Sequence, residues 1–323
     1  MKTNSIKFIA VLLMTGMAFY TAFAQQVPHE SEGFDYLITF GKESKTSYGD
    51  DDFVQVLFFV VPDSRTEPFY IRVFDPEIGG SNDTKVGEGF NTKNRFSVYG
   101  KTGALTASKA DDIFGKVTLN SGSLLSAKIF DKESAYDNKW YTFGPFNPKD
   151  GEALAELKGT VFKLVVEGVK GDDGNVYKFF LSRKQSDNLP VEGGNIFTYK
   201  YSVRMNGKKT IPTHVYPFID ESVSSITIHN FDFDNMGELK LYSTVRLNDK
   251  GNVSGDNVWA KSVHVIKALE RNSTIDVRVI MKKPVNNDFA ICVTNQYNKA
   301  VRLFSVPIGG PPKYKYKVQM KVD

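Results

Sequence analysis

The chain has 323 residues, with 41 Lys and Arg against 37 Asp and Glu, four histidines and a single cysteine. A net charge of +4 is too small to argue for a nucleic-acid partner, and one cysteine allows neither an internal disulfide nor a cysteine-based zinc site. Charge is uneven, with 20 Lys and Arg against 25 Asp and Glu over residues 27–190 and 19 against 12 over 191–323, an asymmetry that fits scattered solvated faces or, alternatively, halves that dock on each other or on an oppositely charged partner.

In chain order, residues 1–24 read as a bacterial secretory signal peptide. Lys2 and Lys7 precede a short apolar run from Phe8 to Phe23, and "AFA" places small residues for cleavage after Ala24. The run falls short of the ~20 residues that a membrane span requires, and no later apolar stretch is longer. Cys292 lies far from the cleavage point, which removes a lipid anchor. The expected location is therefore secreted, periplasmic or at the cell surface, with no transmembrane segment after cleavage.

The dominant period beyond the leader is two. "FDYLITF" (34–40), "FVQVLFFVV" (53–61), "FYIRVF" (69–74), "RFSVYG" (95–100), "KWYTFGPF" (139–146), "TVFKLVVEGV" (160–169) and "VYKFFLS" (176–182) are short, rich in β-branched and aromatic residues, and separated by turn formers. "GVKGDDGNVY" suggests that the last two form a hairpin, because Asp173-Gly174 tolerates positive φ. Short helices are expected over 148–159 and 108–115. At 186–195 the pattern gives way to "SDNLPVEGGN", read as a linker. Strands resume over 196–205, turn at Asn206-Gly207, and continue to "KYKYKVQM" (313–320), whose alternating lysines suit a closing edge strand. The fold class expected is all-β: two antiparallel β-sandwich domains, the first (27–185) jelly-roll-like and the second (196–323) immunoglobulin-like.

Catalytic signatures are missing. "GNVSG" (251–255) sets its serine one position late for G-x-S-x-G, "HESEG" (29–33) lacks the second histidine of H-E-x-x-H, and "GEGFNT" (87–92) is not G-x-G-x-x-G. His229 and His264 sit in strand patterns, and Cys292 reads as a small core residue. "DFDNMGELKLYS" (232–243) imitates an EF-hand loop but puts Met236 and Ser243 where ligands belong.

Calcium needs only hard oxygen ligands and suits extracellular loops. "DPEIGGSND" offers Asp75, Glu77 and Asp83, with Gly79 and Gly80 free to bend the backbone, and "GDDGN" offers Asp172 and Asp173. These five carboxylates are the candidate metal ligands if the two turns meet at one end of the first sandwich. Otherwise they are ordinary turn residues.

The segments "VQVLFFVVPDSRTEPFYIRVFDPEIGG" and "GTVFKLVVEGVKGDDGNVYKFFLS" resemble strand pairs of PPC-type (bacterial pre-peptidase C-terminal) sandwich modules of secreted proteins, over about half of the first domain. The resemblance implies a non-catalytic accessory module that binds or solubilises, sometimes with calcium. The expected function is thus a non-enzymatic binding or structural protein of the envelope or exterior, with a protein or polysaccharide partner. The alternatives are a carbohydrate-binding or carbohydrate-active protein, for which Trp140, Tyr141, Tyr242 and Trp259 are candidate stacking residues, and a subunit of a cell-surface assembly.

Overall fold

The computed structural model describes residues 25–205 and 211–309. The expected leader, the Asn206-Gly207 turn and the closing strand at 313–320 lie outside the described residues.

The described chain is all-β, with 21 strands and five single-turn 3-10 helices. Two antiparallel sheets face each other. The first runs in the order Trp259–Val265, Ser225–Phe231, Asn287–Asn295, Lys200–Met205, Tyr36–Phe40, Gly174–Ser182, Phe69–Phe74 and Trp140–Phe146. The second runs Leu247–Gly251, Gly237–Tyr242, Asp276–Met281, Thr213–Ile219, Leu303–Phe304, Asn195–Thr198, Val54–Pro62, Gly159–Lys170, Lys93–Gly100 and Ser123–Phe130.

Both sheets continue across the two halves of the chain. In the first sheet Val203 pairs with Leu37, and in the second Ile196 pairs with Phe59. Segment 186–195 carries the chain between the halves, with Val191 fully buried and its amide donating to Gln25 Oε1 at 2.9 Å. One continuous apolar core accordingly fills the space between the sheets, from Val27 through Phe96 and Phe179 to Ile228, Phe289 and Leu303. Alternation drives this burial, since every second residue of each run faces inward and a fully buried Val, Leu or Phe contributes about 1.5–3 kcal/mol. Phe96 is central, with edge-on contacts to Phe130, Tyr177 and Phe179.

Three local expectations are corrected. Strands Gly159–Lys170 and Gly174–Ser182 lie in opposite sheets, so "GVKGDDGNVY" is a crossover and not a hairpin. Gly171 takes the positive φ of +80°, and each strand finds its partners within its own sheet. The helix expected at 148–159 is a strand, Glu152–Leu154, between two single turns, because Glu152 pairs with Val161 in the ladder. No helix forms at 108–115, where Lys109 has φ +53°.

That last stretch belongs to an irregular strap, residues 101–122, which crosses the outer face of the second sheet. Its start is held by Glu152, whose carboxylate accepts the amides of Gly103, Leu105 and Thr106 at 2.9, 2.6 and 3.1 Å. Its end is held by the buried Lys163, whose ammonium donates to Ser121 O and Oγ at 2.8 and 2.6 Å. Leu105 and Ala110 of the strap pack on Phe58, Val161 and Phe197 as a second apolar cluster.

A candidate metal centre at the acidic turn

The strand Phe69–Phe74 stops because Asp75 enters the left-handed region at φ 58°, which Asp tolerates better than most residues. The turn that follows is anchored by Ile78, 1% exposed, and docks on the loop 131–139: the Asp75 amide donates to Lys139 O at 2.9 Å and the Ile78 amide to Asp131 O at 3.2 Å.

Docking brings three carboxylates together. Oxygens of Asp75, Glu77 and Asp137 all lie within 4.8 Å of one another. Asp75 is fully buried, Glu77 is 1% exposed and Asp137 is half-buried. Asp75 Oδ1 accepts the Asn138 amide at 2.7 Å and Oδ2 accepts Asn82 Nδ2 at 2.9 Å. Glu77 Oε2 accepts the Glu133 amide at 2.9 Å, whereas Glu77 Oε1, buried, has no hydrogen-bond partner. Asp137 Oδ1 accepts Asn138 Nδ2 at 2.8 Å. The glycines allow this crowding: a Cβ at Gly79 would stand 3.0 Å from Glu77 Oε1, and one at Gly80, where φ is +65°, would clash with Asp137 Oδ1.

Electrostatics disfavour three charges here without a counter-ion. Burial pushes the Asp75 and Glu77 carboxyls above their ordinary range; hydrogen bonds from Asn82, Asn138 and Glu133 oppose the rise, and Asp137 adds to it. Among the described residues no Lys or Arg forms an ion pair with any of the three. Two ligands on opposite sides of a calcium ion at ~2.4 Å stand ~4.8 Å apart, so oxygens this close fit one ion.

The two acidic turns do meet. Thr84 and Gly174 exchange both amide bonds, at 2.9 and 3.0 Å, and Asn175 Nδ2 donates to Pro76 O at 2.8 Å. Of the five candidate ligands, Asp75 and Glu77 join the trio. Asp83 accepts the amides of Gly79 and Val176 at 2.7 and 2.8 Å. Asp173 accepts those of Val86, Asn91 and Thr92 at 2.8, 2.6 and 3.2 Å. Asp83, Asp172 and Asp173 fall outside the trio, and Asp83 and Asp173 tie down the loops around it. Sequence reading missed Asp137; its signal is the Asp-Asn pair between two strands, where Asn138 adopts φ 56°.

This end of the molecule also draws in the second half of the chain. Arg204 donates to Asn82 O at 2.7 Å and to Thr84 Oγ1, while pairing with Asp288 at 2.6 Å.

Two other acidic clusters occur among the described residues. Asp51 and Asp52 of the first pair with the half-buried Lys200 at 2.5 and 2.8 Å, and Asp50 caps the amide of Phe53. Asp232, Asp234 and Asp256 form the second. His214 Nδ1 lies 2.8 Å from Asp276 Oδ1, but the other Asp276 oxygen is held by Arg278 at 2.7 Å. Burial pushes the Cys292 thiol up, opposite to what a nucleophile requires.

No family model matches the chain, and no curated protein matches it.

Proposed function

We propose that the chain is a non-catalytic binding protein of the bacterial exterior or envelope, in which one calcium ion held by Asp75, Glu77 and Asp137 fixes the loops at one end of the sandwich. The observation that carries this reading is Glu77, whose Oε1 is buried without a donor and whose carboxylate clusters with two others. A buried unpaired carboxylate oxygen is costly, and a hard cation satisfies it while relieving the mutual repulsion. The leader-like stretch over residues 1–24 supports an exterior location, where calcium is abundant. No helix among the described residues is long and apolar enough to cross a membrane.

In this reading the ion joins turn 75–83 to loop 131–139, and Arg204 extends the same surface to the second half. Partner recognition belongs to these loops, with a protein or polysaccharide of the envelope as the partner class. The test is thermal unfolding of the wild type and of Glu77→Gln in excess Ca²⁺ and in EDTA. Calcium at a hundred times its Kd stabilises by about 2.7 kcal/mol, a rise of several degrees in Tm for the wild type only. Equal wild-type Tm values in calcium and chelator would sink the assignment.

A further inference from the structure

We propose that the cavity between the strap and the second sheet binds a small apolar carboxylate, such as a medium-chain acid. The cavity has a volume of about 250 Å³ and is walled by Val54, Val56, Ile113, Val117, Leu119 and Tyr199. A cavity of ~150 Å³ lined by apolar side chains is already enough to hold benzene, so a chain of eight or so carbons is accommodated here.

The polar groups at its rim decide the ligand's head. Lys200 is neutralised by Asp51 and Asp52, and Thr198 Oγ1 is committed to Val56 O at 2.6 Å. Lys116 also lines the cavity, and it is exposed and enters no ion pair or side-chain hydrogen bond among the described residues. Lys109 and Lys116 together border the adjoining opening. An apolar chamber lined in part by an uncommitted, exposed lysine suits an apolar tail ending in an anion.

The strap supplies one wall of the chamber. It is fixed at its two ends by Glu152 and Lys163, and again where the Ala300 amide donates to Asp111 O at 2.8 Å. Between these points Phe114 is 58% exposed, resting edge-on against His229 and Trp259.

The experiment is calorimetric titration of the full chain with sodium octanoate and, separately, 1-octanol, each in calcium and in EDTA. One saturable octanoate site is expected. Lys116→Gln should weaken octanoate about fivefold while changing 1-octanol less than twofold, and Ile113→Trp should abolish both by filling the chamber. Absence of saturable octanoate binding in the millimolar range, or an octanoate affinity unchanged in Lys116→Gln, overturns the proposal. Lys116 is exposed, so that variant remains decisive if the tryptophan variant misfolds. The chelator arm keeps the outcome separate from the calcium reading.

Discussion

Asp173 and Thr92 hold each other in both directions: the Asp173 amide donates to Thr92 Oγ1 at 2.7 Å, and the Thr92 amide donates to Asp173 Oδ2 at 3.2 Å. With Val86 and Asn91 also donating to it, the Asp173 carboxylate is saturated by backbone and holds the loop 86–92. Asp173→Ala should therefore cost about 2–4 kcal/mol, since three amides, that of Thr92 buried, lose a charged acceptor. Chemical denaturation would measure this. The calcium-dependent part of the stability should survive, which separates Asp173 from the ligand trio.

Asp137 should behave in the opposite way. Its carboxylate makes one side-chain hydrogen bond, from Asn138, and Asp137→Asn should leave stability in EDTA within about 0.5 kcal/mol of wild type. The same variant should lose most of the calcium-induced rise in Tm. Gly80→Ala should fail in both conditions, because alanine at φ +65° is strained and its methyl meets the Asp137 carboxylate.

Acid sensitivity should trace in part to His229. Burial, and then the Lys261 ammonium, push its imidazole down to about 4 from the usual 6.5. Between those values the unfolded chain binds a proton that the folded chain does not. Stability from this residue is thus complete above pH 6.5 and declines as the pH falls toward 4, by about 1–2 kcal/mol after allowing for solvent screening. His229→Gln should flatten that part of the stability profile. An unchanged slope between pH 6.5 and 4 would remove the assignment.

Arg246 and Glu270 form an ion pair with side chains 5% and 0% exposed, the guanidinium donating at 2.6 and 3.0 Å. Glu270 also accepts from Ser243 Oγ and the Lys267 amide. Removing one partner, as in Glu270→Gln, should cost about 3 kcal/mol, and Arg246→Met with Glu270→Met should cost less than either single change. Denaturation of Arg246→Met, Glu270→Met and the double variant gives the coupling directly.

Much of the architecture was legible in the primary structure because period-two burial is a local property. The run Val54–Pro62 announces itself as a strand wherever it sits. Which sheet a strand joins is not local, and the stretch from Gly159 to Ser182 shows the difference. Its two strands are recognisable, but the Asp-Gly between them mimics a hairpin turn, while the ladder partners that decide the matter, strands Val54–Pro62 and Tyr36–Phe40, lie far upstream. The acidic site divides in the same way. Asp75 and Glu77 stand out because they cluster along the chain, whereas Asp137 reaches them only through the docking of loop 131–139. The strap was opaque for another reason: its placement depends on Glu152 and Lys163, whose side chains give no sign of their long-range partners until the sheet exists.

The pairing of Leu37 with Val203 sets a timetable for synthesis. At about 10 residues per second, the early strand waits roughly a quarter of a minute for its neighbour to leave the ribosome. Val54–Pro62 waits similarly for Asn195–Thr198. During that interval two apolar strands present bare edges, the arrangement most prone to wrong pairing between chains. A nascent chain of this design gains from being kept extended until both halves are made, and a product truncated before residue 195 should accumulate as aggregate.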